Sequence, residues 1–244
     1  MKRALAAIAL LGVLASSCGP SEPMNLTVAT EGATKPTTAA EPTVTSAPVD
    51  TRMLAVPRGS IPAIDGTIEP TEWAGAAITV MDDGTELLWL HADGSLYLGV
   101  LNGTIGAVNL VVATDNEVRV LHSSAALGSA SYDRQEDGAW RLAHEFDWCC
   151  RNATDSNDRA LLLANEGWQA SMGYSGVYGQ VEYQLMLGTG ELRIAVSYIY
   201  ADGSDSVAYW PEDLPAAARE PLHGERRDPE TFAVETWMLV VPAD

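Results

Sequence analysis

The sequence predicts an all-β fold, an antiparallel β-sandwich of jelly-roll type, on three observations. From Val56 onward, short apolar and aromatic runs alternate with glycine and aspartate turns. Two of these runs, ELLWLH at 86–91 and SLYLGVL at 95–101, flank Ala92-Asp93-Gly94, and an Asp-Gly pair between apolar runs is the strongest short-range hairpin signal. In 191–200, Leu192, Ile194, Val196 and Tyr198 alternate with Arg193, Ala195 and Ser197, the period of two that buries one face of a strand.

The remaining elements follow in chain order. Strand-like runs are expected at 108–113, 117–122, 140–146, 159–163, 181–187, 206–210 and 231–241. Residues 168–178, WQASMGYSGVY, read as a loop or short edge strand. The one helical stretch, 214–220, is held to about two turns by Pro215 and Pro221. No internal repeat and no alternation of strands with long helices points to a parallel sheet.

The first 55 residues are of another kind. Lys2 and Arg3 precede an apolar run that ends at Ala15, far short of the roughly 20 residues a membrane span requires, so 1–17 read as a signal peptide. The end of this run resembles a bacterial lipoprotein signal in which Cys18 becomes the lipidated first mature residue, although Ala15 stands where that signal prefers Leu. Ordinary secretion, with cleavage after Ala15 or Ser17, is the alternative. Residues 18–55, rich in Pro, Thr, Ala and Ser and free of aromatics, bury too little apolar surface to order themselves and read as a tether. The expected folded domain is 56–244, held on the extracytoplasmic side of a bacterial membrane through the lipid.

Charge narrows the partners. With 33 acidic against 14 basic residues and a net charge of -19, the chain has no means of neutralising a phosphate backbone, which excludes nucleic acid and an anionic membrane surface as partners of a basic face. At 47% hydrophobic it is equally no disordered acidic tail.

Ile64-Asp65-Gly66, followed by Glu72-Trp73, resembles the opening of the family-9-type carbohydrate-binding domains and the related DOMON-like sandwiches. Leu88 to His91, Asp93, Leu96, Tyr97, Gly99 and Val100 match the hairpin that follows in that family, and Val181-Glu182-Tyr183 its later Glu-aromatic pair. Leu185-Met186-Leu187 lacks the family's Ile-Pro, while Trp210-Pro211 fits its late tryptophan. The resemblance implies a sandwich that binds sugars, with haem binding or accessory roles in some relatives. From the residues themselves, Asp65-Gly66 suits a tight turn and Trp73 suits packing over the end of the sandwich.

Seven tryptophans need places. Trp89 and Trp237, inside apolar runs, are expected in the core. Trp168, Tyr174, Tyr178 and Trp210 are the expected ligand contacts, because aromatic rings stack on the apolar faces of sugars. Asp155, Asn157 and Asp158, with Asp202 and Asp205, group oxygen donors as a structural calcium requires. His91, His122, His144 and His223 have no metal-ligand spacing, and neither a nucleophile elbow nor a phosphate-binding loop is present. For Met172 and His144 as haem ligands, nothing in the spacing speaks. Adjacent Cys149 and Cys150 suit a structural role, as a vicinal disulfide, as buried thiols or as links to other chains. The expected function is a non-catalytic, surface-anchored binding module for an extracellular carbohydrate or other neutral polar ligand. The alternatives are a protein-binding component of a cell-envelope complex and a glycan hydrolase using carboxylates among Glu166, Glu182 and Asp205.

Overall fold

The computed structural model describes residues 52–150, 155–173, 179–223 and 227–243; Cys18 and the rest of the expected signal peptide and tether up to residue 51 lie outside them, whereas 52–55, expected as the end of the tether, are described and enter the first strand. The strands in chain order are β1 (Met53–Val56), β2 (Ala77–Val80), β3 (Glu86–Ala92), β4 (Ser95–Leu101), β5 (Gly106–Ala113), β6 (Glu117–Ser123) and β7 (Leu127–Arg134). There follow β8 (Trp140–Trp148), helix α1 (Ser156–Glu166), β9 (Trp168–Met172), β10 (Gln180–Met186), β11 (Leu192–Tyr200), β12 (Val207–Trp210), the short helix α2 (Ala216–Arg219) and β13 (Met238–Pro242). The chain is an all-β sandwich. One sheet runs β1-β13-β11-β5-β6-β7-β8, with β12 also on β11, and the other β2-β3-β4-β10-β9. Every pairing between these strands is antiparallel except that of β1 with β13, and an isolated parallel bridge joins Arg58 to His91.

The expected hairpin is present as β3–β4, with Asp93 and Gly94 both at positive φ, the backbone a two-residue turn of this type demands. Between the sheets lies a continuous core in which Leu87, Trp89 and Leu98 of the smaller sheet meet Leu110, Leu121 and Val196 of the larger. The outer faces are covered as well. Leu214, Ala218, Leu222, Phe232 and Trp237 lie on the back of the larger sheet, and Ile68 and Trp73 on the back of the smaller. Double burial explains why β4 is apolar at nearly every position rather than alternating.

Residues 159–163 are not a strand. Asp155 caps α1 by accepting from the Asn157 and Asp158 amides, and Gly167, at a φ of 72°, closes it by donating to the Leu163 carbonyl. The apolar triplet therefore falls on a helix, with Leu162 turned into the core and Leu161 left exposed. Strand β7, LGSASYDR, carries too few large apolar residues to be read from the sequence. Only the end of 231–241 is strand, a 3-10 turn occupying Val234–Thr236, and β1 begins ahead of residue 56. Among the described residues no helix is long and apolar enough to cross a membrane.

Asp65, Gly66 and Trp73 of the segment before β2 converge on one carboxylate. Glu182, fully buried in β10, accepts from the amides of Asp65 at 3.1 Å and Gly66 at 2.8 Å through Oε2, and from Trp73 Nε1 at 3.1 Å through Oε1. Gly66 has a φ of 91°, and a Cβ there would meet the backbone of Met172 and Gly173 at 2.6 Å, so no other residue fits. Gln180 Oε1 accepts from the Ile68 amide, and Arg159 of α1 donates to the Ile64 carbonyl. The segment before β2 is thus pinned to the sheet by polar groups set beneath its apolar lid.

Burial pushes the Glu182 carboxyl up to about 7, the three donors offsetting only part of that rise. Since this lies above the unfolded value of 4.5, the folded state holds the proton more tightly; the associated stability is full below pH 4.5 and is lost as pH rises through 7. His122 acts in the opposite sense, because burial lowers its ring to about 4 and its contribution is lost as pH falls from 6.5 toward 4. A comparison with Glu182→Gln separates the two. In urea denaturation from pH 4.5 to 8, the advantage of wild type over the variant should shrink as pH rises, by at most about 3 kcal/mol. A pH-independent difference would show that the carboxylate stays charged throughout.

Candidate functional site

A groove of about 690 Å³ lies at the β8 edge of the larger sheet. Its position follows from strand irregularity. The β7–β8 register shifts twice around Ser131, so that β8 spends extra residues against its partner and sets His144 opposite Ser131 and Asp147 opposite Ser129. These residues, with Glu117 and Arg119 of β6, line one side, and Asn165 and Glu166 at the end of α1 line the other. Arg119 meets Glu166 at 3.4 Å, tying helix to sheet across the groove. Ser131 is only 7% exposed, and its hydroxyl has no partner among the described residues. The lining is hydroxyl, amide, carboxylate, imidazole and guanidinium, with Phe146 its one aromatic residue.

A second cavity, of about 330 Å³, shares Asn165 and Glu166 with the groove and is lined by Leu161, Leu162, Cys149 and Cys150. The two cysteines are joined as a vicinal disulfide. The Cys149 amide donates to the Leu127 carbonyl and the Leu127 amide to the Cys150 carbonyl, which extends the β7–β8 ladder through both residues.

The aromatic platform expected from the sequence is not built from the tryptophans assigned to it. Residues 168–172 do form an edge strand, but α1 packs on it and Trp168 is fully buried, stacked on Tyr183 with centroids 6.2 Å apart. Trp210 is 3% exposed and lies 4.9 Å from Trp89. Neither ring presents a face to a ligand, because a two-layer fold with covered outer faces uses its large rings as filling. Tyr174 and Tyr178 lie outside the described residues. The tryptophan that is exposed, at 48%, is Trp148, which packs on Phe146 at 4.7 Å and on His122 at 5.3 Å. Its signal was available: in HEFDW the aromatic residues alternate with Glu145 and Asp147 along an edge strand.

The acidic runs have local roles. Asp155 is the cap of α1, with Asn157 and Asp158 as its donors, and Asp202 accepts from the Ser204 amide, a contact with Ser204 that holds its carboxyl below the usual range. Asp205 takes a left-handed turn position at a φ of 54°. Among the described residues no group of three or more His, Cys, Asp or Glu is placed to hold a metal. The carboxylates expected to converge also lie apart: Glu166 lines the groove, Glu182 is enclosed beneath the segment before β2, and Asp205 sits in the β11–β12 turn. The histidines are dispersed: His122 is bonded to Asn109, His91 to the Ala243 carbonyl and His223 to Tyr209, while His144 lines the groove. Compared with protein-family models, curated proteins and solved structures, the chain matches none.

Burial assigns the tryptophans to different tasks. In chemical denaturation Trp168→Ala and Trp210→Ala should each cost about 3 to 5 kcal/mol, the loss expected for truncating a buried large ring. Trp148→Ala should cost about 1 kcal/mol or less, since half of that ring is already in solvent. Equal losses at the three positions would contradict the assignment.

Proposed function

We propose that this protein is a non-catalytic binding module for an extracellular glycan, held at a bacterial membrane by a lipid on Cys18 and a tether, and that the groove between β6–β8 and α1 receives the sugar. The observation that carries the reading is the groove itself, whose volume suits a small oligosaccharide and whose walls supply donors and acceptors for hydroxyl groups. The Ser131 hydroxyl in its lining has no partner among the described residues and is available to a molecule in the groove. The resemblance to family-9-type carbohydrate-binding domains points the same way. It bears on the frame more than on the ligand, since its residues Asp65, Gly66 and Trp73 gather around Glu182 rather than in the groove.

Trp148, half exposed on the edge strand β8 and packed on the partly buried Phe146, favours docking on an envelope protein as a second reading. Isothermal titration of the mature chain against a panel of oligosaccharides distinguishes them. Saturable binding is expected, reduced at least tenfold by Ser129→Tyr, which fills the groove, and unchanged by Trp148→Ala, with unaltered melting in both variants. Loss at Trp148 with retention at Ser129 would move the contact to the aromatic patch, and the absence of saturation by any oligosaccharide would overturn the glycan reading.

A further inference from the structure

The charged groups that face the groove are unequal in sign. Glu117, Glu145, Asp147 and Glu166 bring four carboxylates, while Arg119 brings one guanidinium, already engaged by Glu166, and His144 one imidazole. None of Glu117, Glu145 or Asp147 has an ion-pair partner among the described residues. The chain around them carries a net charge of -19. A concave surface lined by one sign of charge and walled by protein concentrates its field in the opening, and so raises the local concentration of ligands of the opposite sign. Ser131, more than nine-tenths buried as a residue, lines the same groove, and its hydroxyl, without a partner among the described residues, is open to a hydrogen-bonding ligand there. Charge alone would suit any cation; charge with hydroxyl, amide and imidazole lining suits a molecule that carries both ammonium and hydroxyl groups.

We infer that the groove selects a cationic, amino-bearing oligosaccharide, of the glucosamine-oligomer class, over neutral and acidic sugars of the same size. This rests on the reading of the groove as a glycan site and departs from the neutral ligand that composition suggests. In the bound arrangement, ammonium groups on the sugar ring pair with Glu117, Glu145 and Asp147, and ring hydroxyls bond to Ser131, Asn165 and His144. N-acetylation removes the ammonium charge while keeping the ring, and provides the matched neutral probe.

The test is titration of the mature chain at about pH 6 with fully deacetylated glucosamine oligomers, their N-acetylated counterparts, uronic acid oligomers and a linear polyamine. The deacetylated oligomer should bind at least tenfold more tightly than the acetylated one, with an advantage that shrinks as salt is raised. Uronic acid oligomers should not bind. Glu117→Gln combined with Asp147→Asn, both isosteric, should remove most of the advantage without changing the melting temperature, whereas Asp202→Asn in the β11–β12 turn should leave it intact. If the acetylated and deacetylated oligomers bind equally, or the preference survives the double substitution, this inference is overturned while the glycan reading stands. Polyamine binding as tight as that of the amino sugar would overturn the sugar part of it. If no oligosaccharide binds, the underlying reading falls with it.

Discussion

A single buried carboxylate organises the outside of the smaller sheet. Glu182 projects from β10 toward a segment that has no regular structure of its own, and that segment supplies the Asp65 and Gly66 amides and the Trp73 indole N–H to its two oxygens. An irregular segment laid over an apolar surface would leave its backbone donors buried and unsatisfied, a cost of about 1 to 3 kcal/mol each. The carboxylate removes that cost at three donors at once. It also fixes the indole over Gly99, where a side chain would stand within 3.3 Å of the ring. Arg159 extends the arrangement to α1 by holding the Ile64 carbonyl, so the strand, the helix and the covering segment are positioned together.

The candidate site depends on the same construction at one remove. Where a covering segment lies over a sheet face, the sandwich has no room for a ligand; where cover ends, at the edge strand β8, the shifted register and the end of α1 leave a cleft. Helix α1 is set against β9 and linked through Arg159 to the segment that Glu182 holds. The groove wall formed by Asn165 and Glu166 therefore rests on the part of the molecule that the carboxylate orders. The disulfide between Cys149 and Cys150 lies at the other end of that wall, where the β7–β8 ladder runs out.

What the sequence reveals follows from which interactions are local. The β3–β4 hairpin is legible because Asp93 and Gly94 carry their turn in their own backbone preferences, and β11 because its alternation is a property of neighbouring residues. The helix at Ser156–Glu166 is misread because Leu161-Leu162-Leu163 has no periodicity to separate strand from helix, although Asp155 and Gly167 mark its ends. Trp168 and Trp210 are misjudged for a different reason. Their glycine- and proline-containing surroundings describe the local chain, whereas their burial is decided by α1 and by Trp89, which the sequence does not bring near. The groove is invisible at that level, since Arg119, Ser131, Asp147 and Glu166 become neighbours only through a register shift in β7–β8 and a helix packed on β9 and β10.

The most direct measurement of the central claim is amide hydrogen exchange across residues 61–73 in the wild-type chain and in Glu182→Ala. If the carboxylate holds this segment, the Asp65 and Gly66 amides are protected in the wild type and exchange on the order of a hundredfold faster in the variant, a local opening that leaves β5 and β6 protected. Protection of 61–73 that is unchanged by the substitution would contradict the account, because the apolar lid of Ile68 and Trp73 would then hold the segment without its polar anchor.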